Sequence, residues 1–266
     1  MNYLCIDSIQ ILKPRQEDGW EQAIPAGLKR RSPRIWQMAY VVTRRLLDTC
    51  TTLPGSIVAA TALGALDETR AFLESIYKTG FGSPRNFISS VHNSMAGKLA
   101  IEFKIPGPNL TLCDGPNSLA SALVAASLLD DDDFPLLLLT IDEQIDLLEK
   151  IKPHLSLACR SFLSTEWEEA AAAMMLTRKQ SPARMQARGI GPITVRGNNP
   201  EQECRTHAAT FSRHKSTYIS PKAGSNSSVA PCEQIAEIGT GNVHGTYIIA
   251  TTSPSANSYG LVELCV

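Results

Sequence analysis

Two hydrophobic patterns alternate along the chain: short apolar runs, and longer stretches in which apolar residues return every three or four positions. The runs predict strands at Tyr3 to Ile11, Ser56 to Thr61, Asn109 to Cys113, Pro135 to Thr140, Ala170 to Leu176 and Pro192 to Arg196. The periodic stretches predict helices. Ile35, Met38, Ala39, Val42 and Leu46 share one face. Asp67 caps a helix through Leu73 and Ile76 that ends near Gly80. Val91, Met95, Leu99 and Phe103 line a helix from Val91 to Glu102 behind a Ser89-Ser90 cap. Asn117 to Leu129 is nearly free of charge until Asp130, which predicts a helix buried on almost all sides. Asp142-Glu143 opens a helix ending near Lys152. Farther on, helices at Cys204 to Arg213 and Val229 to Ile238 and strands at Thr217 to Ser220, Thr246 to Thr252 and Ser258 to Cys265 are expected. Strands alternating with amphipathic helices argue for α/β layers rather than a bundle or a sandwich.

The stretch from Asn86 to Leu129 organises the rest. A short strand (NLTLC), a tight corner at Asp114-Gly115-Pro116-Asn117 and the start of a buried helix follow in order. Enzymes place nucleophiles at such corners, because a helix N-terminus offers unpaired N–H groups and positive partial charge.

These residues carry a resemblance. Met95-Ala96-Gly97, the Gly107-Pro108-Asn109 turn and the strand and elbow after them resemble the N-terminal half of the beta-ketoacyl synthases, in the thiolase superfamily. Arg34 to Leu47, Ile57 to Leu73, Phe134 to Glu143 and Glu168 to Thr177 extend the match, and Asn257-Ser258-Tyr259-Gly260 resembles the family's late Asn-Ser-Phe-Gly strand. Within that family the chain resembles the chain-length-factor-type proteins that accompany active synthases in aryl polyene and flexirubin-type pathways. The resemblance implies a thiolase-like layered α/β fold, αβα(βα). Its N-terminal half, residues 1–197, is intact; residues 198–266 are a strongly shortened C-terminal half on the same core. It also implies a dimer seam at Asn109, Leu110, Thr111, Leu112 and Cys113, and an acyl pocket near Ala120, Leu123 and Val124. The partner would be a ketosynthase subunit or a second copy, with an acyl carrier protein as a further partner.

The chain departs from that family at the elbow. Family spacing counted forward lands on Pro116 and counted back lands on Gly115; neither is cysteine, and Asn117 follows. Cys113 is close, but as a strand residue it is expected to be buried. Lys222 to Ser227 resembles the family's Lys-x-x-x-Gly-His turn without its histidine. His92, His207, His214 and His244 fall in none of the family's catalytic-histidine motifs. His92 is expected as a cap or a buried hydrogen-bonding residue. Since the carbon–carbon condensation needs a thiolate and donors for the enolate, the reading is a non-condensing subunit that shapes a partner's acyl tunnel. The alternatives are a thioesterase or acyltransferase using Cys113 or Ser118 with His92, and an acyl-binding scaffold homodimer.

Composition narrows this further. With 266 residues, 43% of them apolar and 19% charged, the chain can bury a large core. A formal net charge of −1 creates no single-sign field, which argues against nucleic acid. Seven cysteines, scattered and without a CxxC pair, suit reduced thiols in the cytoplasm rather than a disulfide framework or a zinc site, and neither cofactor nor metal is expected. The first residues read as a strand rather than a signal peptide, and no apolar run is long enough to span a membrane. Arg30, Arg31 and Arg34 are expected to be solvated, as is the loop Asp130 to Asp133.

Overall fold

The structure is a computed structural model that describes residues 3–154, 169–178, 185–194, 200–212, 216–219, 228–241, 244–253 and 258–266. Among the described residues, nine strands form one mixed sheet: β1 (Leu4–Leu12), β2 (Ser56–Thr61), β3 (Asn109–Cys113), β4 (Leu136–Asp142), β5 (Ala170–Thr177), β6 (Gln186–Thr194), β7 (Ser216–Ile219), β8 (Thr246–Ser253) and β9 (Ser258–Cys265). Their order is β3-β2-β4-β5-β1-β6-β9-β8-β7.

This order contains a repeat. β1 runs antiparallel to β5, β5 antiparallel to β4, and β4 parallel to β2. β6, β9, β8 and β7 reproduce those three relations in the same sequence. The two groups join through a short β1–β6 pairing at Leu4 and Cys5. Among the described residues, only β3 has no counterpart in the second group, so β3 and β7 are the sheet edges.

Helices layer both faces. The main ones are α1 (Ala26–Lys29), α2 (Arg34–Thr49), α3 (Leu66–Thr79), α4 (Pro84–Ser90), α5 (Ser94–Phe103), α6 (Ser118–Ser127), α7 (Asp146–Ile151), α8 (Pro200–Phe211) and α9 (Ala230–Thr240). Successive side chains of a strand point to opposite faces. Thus Ile57, Ala59, Leu137 and Leu139 pack with α2 and α5, while Val58, Ala60, Leu136 and Leu138 pack with α6 and α9. α8 covers the far face of the second group through Cys204 and Ala208, against Ile248, Ala250 and Leu261. α6 therefore lies between the two groups of strands. None of its residues is exposed, as its lack of charge predicts. No helix among the described residues is long and apolar enough to cross a membrane.

Several boundaries differ from expectation. The predicted helix from Val91 is two helices. Ser83 accepts a hydrogen bond from the Asn86 amide and Pro84 starts the first turn, so α4 begins early and ends at Ser90, and Val91 is exposed at its C-terminus. The Asp67 carboxylate sits inside the first turn of α3, bound to Arg70, and Ala65 occupies the cap position. Asp142 ends β4 instead of opening a helix, and α7 begins at Asp146. β6 begins at Gln186, ahead of the strand expected from Pro192. Gly189 is needed there because a Cβ would lie 2.2 Å from the Ala120 carbonyl oxygen of α6. Residues 153–165, whose sequence reads as a crossing loop, and the turn at 222–227 lie outside the described residues, apart from Pro153 and His154.

Candidate functional site

The elbow forms where edge strand β3 meets α6. Gly115 sits there with φ +54°, a left-handed conformation that glycine adopts without strain. A Cβ on it would meet nothing within 4 Å. Of the two positions that family spacing gives, Gly115 thus stands open and bears no side chain.

The next residues are committed to the fold. Pro116 is buried. Asn117 is fully buried, and its side-chain oxygen accepts from the Thr251 hydroxyl at 2.8 Å and the Gly260 amide at 2.9 Å, while its Nδ2 donates to the Ser258 hydroxyl at 3.1 Å. One amide therefore ties the elbow to β8 and β9. Ser118 is also fully buried; its hydroxyl lies 2.8 Å from the Thr61 carbonyl and 2.7 Å from that of Gly115, and it accepts from the Asp114 amide at 2.8 Å. Those contacts occupy Ser118 as a structural group. The roles of Asn117 and Ser118 were not legible in the sequence, since their partners lie up to 143 positions away.

Cys113 corrects an expectation: it is exposed rather than buried. β3 is an edge strand, so one side of its last residue meets no neighbour. The sulfur nonetheless turns in, donating to the Ala62 carbonyl at 3.5 Å. Burial of the thiol, and then the carboxylates of Asp142 and Asp114, raise its pKa. That is the opposite of nucleophile activation. We expect iodoacetamide to modify Cys113 in folded protein at pH 8 more slowly than an unperturbed thiol. Rate measurement by peptide mass mapping checks this, and faster alkylation than at every other cysteine contradicts it.

His92 is likewise exposed, in the link between α4 and α5, with its Nδ1 packed against Gly64. Among the described residues, no hydrogen bond joins it to Cys113 or Ser118. Neighbouring Asn93 accepts from Thr111 of β3 at 3.4 Å. His207 stacks on Phe211 within α8, His244 is exposed, and His214 lies outside the described residues. Ala120 and Leu123 are buried in the core and Val124 is partly buried, all close to Gly189 of β6. Of the expected seam, Leu110 and Cys113 are exposed, and Asn109, Thr111 and Leu112 are partly buried. Among the described residues, the outer edge of β3 pairs with no strand.

A buried acidic pair stands below the elbow. Asp142 accepts from the Ala62 amide at 2.7 Å, the Thr61 hydroxyl at 3.1 Å, and the Ser228 amide and hydroxyl at 2.6 and 2.8 Å. It thereby joins the end of β2 to the approach to α9; burial pushes its pKa up against those bonds. Glu143, 5% exposed, is pushed up to about 8 by burial and then by Asp67, Glu68 and Glu169. Arg34 is not merely solvated, because its guanidinium grips Glu169 through two bonds of 2.6 and 2.8 Å. Since the native Glu143 pKa lies above its ordinary 4.5, folded protein keeps a proton that unfolded protein has lost. Stability contributed below pH 4.5 is therefore lost as pH rises toward 8, and no more is lost above that. Glu143→Gln should raise stability at pH 8 by on the order of a few kcal/mol and leave it almost unchanged at pH 4.5. Urea unfolding at the two pH values checks this. Among the described residues, no group of three or more His, Cys, Asp or Glu could hold a metal ion.

An elbow of this shape in a repeated layered α/β fold can be compared with known proteins. The sequence model of the family described as beta-ketoacyl synthase, N-terminal domain, matches residues 8–230. The chain belongs to that family. No curated protein matches it in sequence. Solved structures share its thiolase-like α/β fold. The ishigamide ketosynthase/chain length factor matches with a TM-score of 0.80 and 14% identity, over 100% of this chain and 99% of that one. The ketosynthase ApeO in complex with its chain length factor ApeC, from Xenorhabdus doucetiae, matches with a TM-score of 0.64 and 16% identity over 100% of both chains. A type II polyketide acyl-carrier protein in complex with its ketosynthase (AntDE:AntF) gives 0.71 and 12%, again over 100% of both chains.

Proposed function

We propose that this beta-ketoacyl-synthase-like chain is a non-condensing, chain-length-factor-type subunit that pairs with an active ketosynthase in polyketide or fatty-acid-like synthesis, of the aryl polyene kind, in the cytoplasm. The observation that carries this reading is the elbow. Family spacing points there to Gly115 or Pro116, neither a cysteine, and the polar side chains after them are spent on internal hydrogen bonds. Condensation begins with transfer of an acyl group to a thiolate, and a thiol held in its protonated form, facing the Ala62 carbonyl, is a poor acceptor.

The free edge of β3 supports the partner half of the proposal. Unpaired strand edges invite strand addition. α5 lies against β3, and the segment from α3 to α5 presents Leu73, Tyr77, Phe81, Phe87, Ile88 and Val91 to solvent, with Tyr77 92% and Phe81 81% exposed. So much apolar surface is characteristic of an interface. The ketosynthase is the partner, rather than a second copy, because a chain without a nucleophile gains a reaction only by lending wall to a chain that has one. Coexpression with a ketosynthase from the same cell should yield a 1:1 complex in native mass spectrometry, disrupted by Thr111→Pro in the exposed strand. Separate elution of the two chains overturns the proposal.

The exposure of Cys113 keeps one other reading specific enough to test: an acyl-thioester hydrolase using that thiol with His92. It requires thioester turnover that disappears in Cys113→Ser.

A further inference from the structure

α3 and α4 form a helical hairpin on the outside of the fold. The Asn86 side chain donates to the Ala71 carbonyl at 3.3 Å and the Ser83 amide to the Ser75 hydroxyl at 2.9 Å, so the two helices run antiparallel, with the rings of Phe72 and Phe87 packed between them. No residue of either helix is buried. The base of the hairpin lies at the elbow end of the sheet, where Gly64 meets His92 and Asn93 accepts from Thr111 of β3. With fourteen residues in α3, the tip stands about 20 Å from that base.

The tip holds an aromatic side chain outward. Gly80 ends α3 at φ +76°, the Thr79 hydroxyl accepts from the Phe81 amide at 3.3 Å, and a Cβ on Gly82 would come within 2.7 Å of the Phe72 ring. Among the described residues, Tyr77 and Phe81 are the most exposed of the large apolar side chains. Charge is divided along the hairpin. Asp67 and Glu68 stand at its base, whereas from Ser75 to Ile101 the chain has no acidic residue. Lys78 pairs with Glu74, and the Arg85 guanidinium donates to a backbone carbonyl, that of Arg31, at 3.4 Å. From Thr69 to Val91 three cations therefore face one acid. Exposed rings flanked by cations fit the boundary of an anionic bilayer: the rings enter the apolar layer, the tyrosine hydroxyl stays among the headgroups and the cations meet phosphate. A protein partner needs on the order of 800 Å² from each side, more than two side chains on a protruding turn supply, whereas a fluid layer needs no matching shape.

We propose that the tip of this hairpin, Tyr77 and Phe81 with Lys78 and Arg85, docks the chain on an anionic membrane surface. Val91, at the base, and the β3 edge stay available to the ketosynthase. Cosedimentation of the full chain with vesicles tests this. Phosphatidylcholine vesicles with about 30% phosphatidylglycerol should carry down wild type, less as salt rises, and pure phosphatidylcholine vesicles should carry down much less. Y77S/F81S should weaken binding about tenfold or more, and R85Q about fivefold at low salt. L128S, at a comparably exposed leucine ending α6, should leave it unchanged. Unfolding curves establish that the variants remain folded. No sedimentation of wild type, or Y77S/F81S that binds like wild type, overturns the inference. If wild type stays in solution and Y77S/F81S loses the ketosynthase complex, the tip belongs to that protein interface, and the membrane site falls while the proposed function stands.

Discussion

Glu263→Ala should remove about 3–5 kcal/mol of stability, a large share of the roughly 5–15 kcal/mol that holds a domain together. Glu263 is fully buried on β9. It accepts from the Tyr3 hydroxyl at 2.7 Å and the Ser212 hydroxyl at 2.8 Å, and pairs with Arg188 of β6. Arg188 also donates to the Phe211 carbonyl at 2.7 Å and lies over the Tyr3 ring at 4.8 Å. The carboxylate thus joins the start of β1, two strands of the second group and the end of α8. Alanine would leave the Arg188 charge buried with its main partner gone, which costs far more than the lost contact. R188M/E263L, which removes both charges and keeps volume, should recover most of the loss. Urea unfolding of the three proteins checks this; a single alanine variant within about 1 kcal/mol of wild type would show that the network contributes little.

Gly189→Ala should also be severe. The added methyl would lie 2.2 Å from the Ala120 carbonyl oxygen, 2.9 Å from the Val124 nitrogen and 3.0 Å from Leu123 Cβ. Two of these atoms are helix backbone and cannot swing aside. α6 must move off β6, with an overpacking cost of about 1–3 kcal/mol or more and a disturbed elbow, since Asn117 leads α6. Gly115→Ala is the control. Nothing crowds that site, so its cost is only the left-handed backbone, about 1–2 kcal/mol. Matched unfolding curves should rank Gly189→Ala below Gly115→Ala, and the opposite order would mean that α6 is not seated as described.

The sequence revealed elements whose surroundings are uniform. β4 is apolar on both faces and α6 lacks charge, so their burial could be read directly from composition. β9 was placed at its observed limits, Ser258 to Cys265. Features set by distant partners were hidden. The exposure of Cys113 follows from β3 being an edge, a property of strand order that five residues cannot encode. The strand character of Gln186 to Gly191 was masked by two glycines, which look like loop until the close approach of α6 is known. Arg34 resembled a solvated cation because Glu169 lies 135 positions away. At the elbow, spacing pointed to Gly115 and Pro116, whereas only the structure shows Asn117 holding β8 and β9.

The most direct measurement is intact mass after incubating purified chain with a reactive acyl thioester of a carrier protein, alone and in complex with the proposed ketosynthase partner. No acyl adduct should form on this chain in either state, while the ketosynthase in the complex acquires one. A stoichiometric adduct mapped to Cys113 would contradict the account.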